Sequence, residues 1–199
     1  MRVTREKAAE NREKIIAAAA RLFRENGFDG VGLDAIMEAA GLTHGGFYRH
    51  FRSKTELAAE AVAHGLAVSG GRQAALPSLK ALVAGYLSTE HRANRGNGCV
   101  IAALGSDMPR QDKQVRRALT AHVREQIDRL AAWSEGPSAA ARRRQAIATL
   151  AEIVGALILA RAVEDSALSD EILDAGRSAC GTTRSRNTAR KSKRGQSGP

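Results

Sequence analysis

Between Gly32 and Lys54 the chain reads GLDAIMEAAGLTHGGFYRHFRSK, and His44, Tyr48, Arg49 and His50 crowd hydrogen-bonding groups together with no carboxylate among them. That set suits recognition rather than bond cleavage. An arginine fork can meet a guanine edge, and hydroxyl or imidazole groups can meet phosphate or base. Phe47 and Phe51 stand four apart and give this segment one buried stripe. His44, Gly45, Tyr48 and Arg49 are left on another face. Upstream, Leu33, Ile36, Met37 and Ala40 recur at helical spacing, and Gly41 supplies the left-handed residue that ends a helix. Thr43 then stands where a hydroxyl caps the next helix. Two short helices across a glycine turn, the second greasy on one side and donor-rich on the other, have the form of a DNA-reading helix-turn-helix.

The pattern FYxHFxSKxxL is present as Phe47, Tyr48, His50, Phe51, Ser53, Lys54 and Leu57, and AAGLTHGG precedes it. On these residues the N-terminal part of the chain resembles the DNA-binding domain of the TetR/AcrR family of transcriptional regulators. The resemblance covers roughly the first 60 residues and many positions at once. It implies that Tyr48 and Lys54 hold phosphates, with His50 assisting. For Tyr48 the competing reading is half-buried packing, and for His50 a neutral ring bonded to backbone. Helix geometry itself puts His44 and Arg49 at base edges, because the first residues of a reading helix enter the major groove. Gly45 and Gly46 each cost ~1 kcal/mol against alanine in a helix. Either they let the backbone approach the groove, which is the preferred reading, or they loosen the helix start. The expected DNA-contacting set is Thr43, His44, Gly45, Gly46, Tyr48, Arg49, His50 and Lys54. The family often has Ser or Thr at the start of the first motif helix, where this chain has Gly32-Leu33-Asp34. Asp34 suits a cap or the positive end of the helix dipole, so any phosphate contact there falls to backbone N–H groups.

These residues need helices to hold them. Ile15, Ile16, Ala19, Leu22 and Phe23 predict a first helix over about residues 4–25, with Thr4 at its start and Asn26-Gly27 at its stop. Ser53 with Glu56 predicts a capped helix running toward Val68, and Ser69-Gly70-Gly71 reads as a break. Pro77 suits the first turn of a helix carrying Leu79, Leu82, Val83, Tyr86 and Leu87. Arg95-Gly96-Asn97-Gly98 is a turn, and Cys99–Gly105 a short apolar segment. Val115, Leu119, Val123, Ile127 and Leu130 mark a long amphipathic helix ending near Trp133. Another helix is expected over residues 138–164, and a last one over 168–179 capped by Ser169. No segment alternates as a strand would. The expected fold is all-α: a three-helix helix-turn-helix DNA-binding domain over residues 1–52, and a helical ligand-binding and dimerisation domain over 53–182. A disordered basic tail is expected over 183–199.

The 199 residues carry a net charge of +10. Residues 1–60 hold +1, residues 61–183 hold +3, and residues 184–199 hold +6 with no acid among them. The tail therefore either adds non-specific phosphate attraction or serves as a solubilising extension. Cys99 and Cys180 have no partner spacing, which argues against a disulfide framework and a zinc site. No cofactor is expected. Apolar runs stay short of a membrane span, and the charged N-terminus lacks a signal core, so the expectation is a cytoplasmic protein without a membrane partner. No phosphate loop, nucleophile elbow or paired-carboxylate motif supports an enzyme.

The family resemblance further implies a homodimer bound to a double-stranded DNA operator and released by an unknown small-molecule effector. The stripe Ile147, Leu150, Val154, Leu157 and Ile158 is the expected dimer surface, against the alternative of an internal core helix. Leu82, Tyr86, Cys99, Met108, His122 and Trp133 are candidate pocket residues, each of which could equally be ordinary core. Cys99 is either a sensing thiol or a small buried hydrophobe. The competing function is an architectural DNA binder that relies on the basic tail and answers to no effector.

Overall fold

A computed structural model describes residues 4–192, with side chains as far as Cys180. Among the described residues the chain is helical and has no strand. The helices are α1 (Arg5–Asn26), α2 (Leu33–Ala39), a 3-10 helix (His44–Arg49), α3 (Lys54–Ala74), α4 (Leu79–Tyr86) and α5 (Thr89–Ala93). There follow α6 (Val100–Leu104), a 3-10 turn (Met108–Arg110), α7 (Lys113–Trp133), α8 (Ala139–Ala162) and α9 (Ser166–Ser192). Two compact units result. The first holds the residues up to Ala74 with Asn94–Arg124; the second holds Ala75–Ala93 and the residues from Glu125 onward. The head expected over residues 1–52 is thus the opening part of a larger unit.

In the first unit, α1 starts where expected: the Thr4 hydroxyl accepts from the Lys7 N–H at 3.2 Å. It stops at Gly27, whose φ of +77° only glycine adopts cheaply. Its stripe of Ile15, Ile16, Ala19 and Phe23 is buried against Leu57, Ala61 and Val62 of α3 and against Phe47 and Phe51. Each large apolar side chain buried this way stabilises the fold by roughly 1.5–3 kcal/mol. Arg12 adds a strap, pairing with Glu60 at 2.5 Å while its guanidinium lies 4.7 Å from the centre of the Phe51 ring. At the start of α3 the Ser53 hydroxyl accepts from the Glu56 N–H at 3.1 Å, and the Glu56 carboxylate accepts from the Arg52 N–H at 2.7 Å. This is the expected reciprocal cap, displaced by one residue on its return side.

The expected break at Ser69-Gly70-Gly71 is absent, because α3 continues to Ala74. Ser69 is buried, and a Cβ on Gly70 would sit 3.7 Å from the His122 ring. Packing against a distant helix carries α3 through two glycines that local propensity disfavours.

In the second unit, Pro77 lies one residue before the cap instead of inside the helix, since the Ser78 hydroxyl accepts from the Ala81 N–H at 3.2 Å. Ser138 caps α8 in the same way. The start of α9 is set by Asp165, whose carboxylate accepts from Ala167 and Leu168 at 2.8 and 3.1 Å. Ser169, expected to be that cap, is instead inside α9 and donates to the Ala160 carbonyl at 2.6 Å. That bond ties α9 to α8. Arg92 reaches Ser169 and Asp170, while Arg161 donates to the carbonyls of His91 and Arg92, so α5 is held by arginines. Helix α9 runs on to Ser192, so the part of the expected tail from Thr183 to Ser192 is helical; residues 193–199 lie outside the described residues. Arginine, lysine and alanine, good helix formers, recur there without proline.

By length and composition α8 is apolar enough to cross a bilayer. Its Ala146, Thr149, Ile153, Leu157 and Ala160 are buried within the unit, while most of its apolar stretch is not.

Candidate nucleic-acid interface

The helix-turn-helix is built around Gly41. Its φ is +70°, its N–H donates to the Glu38 carbonyl, and the Leu42 N–H donates to the Met37 carbonyl, both at 2.9 Å. This pair of bonds closes α2 in a Schellman motif and reverses the chain. The segment that follows is a 3-10 helix, not the α-helix expected: Gly46 N–H bonds to the Thr43 carbonyl at 3.0 Å, and His50 N–H to the Phe47 carbonyl at 2.9 Å. Two glycines at its first turn make the tighter, shorter form affordable. Thr43 precedes it but makes no side-chain cap, so its exposed hydroxyl stays available.

Phe47 and Phe51 are buried and stacked with centroids 5.7 Å apart, in line with their spacing. They fix the opposite face outward. Thr43, His44, Gly45, Tyr48 and Arg49 are exposed, and Gly46 and His50 are half-buried. Tyr48 is 69% exposed, its ring edge-on to Phe47 with centroids 5.1 Å apart. The reading of Tyr48 as half-buried packing does not fit that exposure. Gly45 has nothing within 4 Å of where a Cβ would stand, so the space in front of it is open.

Three neighbours modify the expected roles. His44 Nδ1 contacts the Asp34 carboxylate, so Asp34 orients a reader across the turn and does not cap α2, whose N-cap is Gly32 without a side-chain bond. Lys54 Nζ donates to the Phe28 carbonyl at 2.7 Å. It therefore tethers α3 to the loop before α2, which the sequence pattern did not reveal, and it keeps two N–H groups for other acceptors. Burial, then the charges of Arg12 and Arg49, hold His50 below the ordinary histidine value of 6.5, so its ring is neutral at physiological pH.

The six expected pocket residues are divided between the two units. Leu82, Tyr86 and Trp133 belong to the second unit, and Cys99, Met108 and His122 to the first. Met108 is part of the first unit's core. None of the six lines the groove of about 670 Å³ that opens in the first unit. Cys99 is buried at the start of α6, which fits a small hydrophobe and not an exposed sensing thiol. Cys180 is buried as well, and burial beside Glu152 pushes its thiol up to about 12. Of the expected dimer stripe, Ile147 and Ile158 are exposed, and Leu150 and Val154 are half-buried. Leu157 is fully buried inside the unit and is a core residue, at the edge of the stripe that adjoins the buried row of Ala146, Thr149, Ile153 and Ala160. The exposed Leu159, missed in the sequence, belongs to the outer face.

Comparison with known proteins agrees with this geometry. Residues 15–61 match the family described as "Bacterial regulatory proteins, tetR family". The HTH-type transcriptional regulator AcrR of Shigella flexneri is 41% identical over 59 residues, 30% of this chain and 27% of AcrR. The chain thus spans only about a quarter of that relative in the alignment. An uncharacterized HTH-type transcriptional regulator of Mycobacterium tuberculosis is 28% identical over 173 residues, covering 77% of this chain and 86% of the relative. A TetR transcriptional regulator from Chloroflexus aurantiacus superposes with a TM-score of 0.75 at 25% identity, over 89% of this chain and 95% of that one. Residues 15–61 thus carry a DNA-binding domain of the tetR family type, and the chain as a whole shares the fold of a TetR transcriptional regulator.

Proposed function

We propose that the protein is a sequence-specific DNA-binding transcriptional regulator that works in the cytoplasm as a homodimer. In this reading it represses by occupying an operator and leaves it when a small molecule binds. The observation that carries it is the outward set His44, Tyr48 and Arg49 on a short helix whose other side is locked by Phe47 and Phe51. Arg49 and His44 read base edges. Tyr48, with Thr43 and the open backbone at Gly45, meets the phosphates, and Gly46 lets the segment lie close to the groove. His50, kept neutral, contributes a hydrogen bond without a charge. Lys54 divides its donors between the Phe28 carbonyl and phosphate.

The homodimer is supported by α8. Ile147, Ile158 and Leu159 leave an apolar strip exposed on one protomer, and a second copy of the same strip covers it with matching chemistry. Relatives in the comparisons are regulators and not enzymes, consistent with a role in binding. The effector-free architectural reading rests on the +6 charge of residues 184–199 and predicts that removing them abolishes DNA affinity.

The deciding experiment is binding to the DNA flanking the protein's own gene, against scrambled duplex, at two salt concentrations. A preference that persists in higher salt supports the regulator. Equal and strongly salt-dependent binding to both duplexes supports the architectural alternative.

A further inference from the structure

The first unit carries a groove of about 670 Å³ between α1 and α3, reaching the loop at Asn97 on one side and the glycine turn at Gly41 on the other. That is a volume suited to a drug-sized molecule, for which sites run roughly 300–1,000 Å³. Its surface combines small apolar residues, among them Ala17 and Val68, with the cations Lys14, Arg24 and Arg72. Arg24 Nε donates to the Gly96 carbonyl at 2.6 Å, and Arg72 Nη2 donates to the neighbouring Asn97 carbonyl at 3.0 Å. Two guanidinium groups are thereby anchored side by side at one end of the groove. Lys14 and Arg21 have carboxylate partners in Glu10 and Glu25, whereas neither Arg24 nor Arg72 forms an ion pair among the described residues.

This pairing runs against electrostatics. Burial, and then the charge of Arg72, depress the pKa of Arg24, and the opposing pull of nearby acidic groups, Glu25 among them, does not offset them. The fold nevertheless makes room for it. A Cβ on Gly65 would collide with Arg24 Nη1, and it would stand 3.0 Å from Val100. Gly65 lies in the interior of α3, where glycine is disfavoured against alanine. A costly glycine that seats an arginine beside a second arginine, both facing a groove, is a preorganised arrangement for an anion.

We propose that this groove binds a small organic anion, with its carboxylate or phosphate held by Arg24 and Arg72 and its apolar part on Ala17 and Val68. Because the groove also touches Gly41, which sets the direction of the reading segment, an occupant is placed to influence DNA binding. As an effector site the groove rests on the regulator reading above; as an anion site it stands on its own geometry.

Isothermal titration calorimetry on the full chain tests it, using benzoate, neutral benzamide and inorganic phosphate at constant ionic strength. Benzoate should bind and benzamide should not. Arg72→Gln should weaken benzoate about tenfold, the loss of one charge-assisted hydrogen bond. Lys14→Gln changes a half-exposed rim residue, leaves the core intact, and should weaken binding by a smaller factor through lost charge. Phosphate binding as tightly as benzoate would assign the affinity to the arginines alone, and weaker phosphate binding would give the apolar floor a share; both support the site. Absence of heat from both anions, or equal benzoate affinity in wild type and both variants, would overturn it. Operator binding is followed separately by fluorescence anisotropy. Loss of DNA preference in the wild type would sink the regulator reading while leaving the calorimetric result intact, and release of DNA by benzoate would identify the groove as the effector site.

Discussion

Arg49 and Lys54 lie five residues apart and are predicted to fail differently. Arg49 is exposed and its side chain forms no hydrogen bond or ion pair among the described residues, so Arg49→Ala should leave stability unchanged. It should cost about 1–3 kcal/mol at the matched base and flatten discrimination there, measured by anisotropy on single-base operator variants. Lys54 also holds the Phe28 carbonyl, so Lys54→Met should weaken binding to all sequences and cost about 1.5–3 kcal/mol of stability in urea unfolding. An unchanged unfolding midpoint would remove the tether from the account. His50 gives a pH prediction. Its folded pKa is depressed below 6.5, so the unfolded chain takes up the proton first as pH falls. The stability it contributes is present above pH 6.5 and is lost as pH falls through the lower folded value. His50→Gln should flatten that part of the stability profile, read from urea melts between pH 7.5 and 5.

At the scale of elements, the turn at Gly41 is where local backbone conformation decides the most. Gly41→Ala places a Cβ at φ +70° and should cost roughly 1–2 kcal/mol, visible as a lower thermal midpoint. It has nothing within 4 Å to clash with, so the whole cost is conformational. The same turn explains why this region was legible in the sequence. Gly41, the Phe47–Phe51 pair and the Ser53–Glu56 cap all act within a few residues, and each signal points to one structure. Where distant residues decide, the sequence misled. Ser69-Gly70-Gly71 stays helical because His122 packs against it. Asp165 outcompetes Ser169 as a cap because Ser169 is drawn to Ala160 on another helix. The Lys54 tether and the arginine pair likewise depend on partners that spacing does not reveal.

At the scale of the molecule, the proposed dimer places the apolar strip of α8 at the contact. Replacing Ile147 and Ile158 by glutamate puts two charges on each strip, hence four across a two-fold contact. Sedimentation velocity should then show a shift to monomer at micromolar protein, with helicity by circular dichroism unchanged because both residues are exposed. A variant that remained dimeric would move the interface elsewhere. Leu157 is the contrasting site. Being fully buried, Leu157→Ala should cost about 2–5 kcal/mol of stability through a cavity, so its loss would be read in unfolding and not in assembly.

The six-residue reading segment limits how much text the protein can read. At ~2.0 Å of rise per residue it extends about 12 Å, against ~3.4 Å per base pair, so one head spans three or four pairs. Two heads reading three pairs each would spell a six-letter word, which random DNA repeats about once in every 4,000 pairs. A vocabulary that short cannot by itself single out one promoter, so the grammar between the two half-words must carry the remaining information. Inserting two base pairs between half-sites turns one against the other by roughly 70°, and should abolish specific binding though every letter is retained.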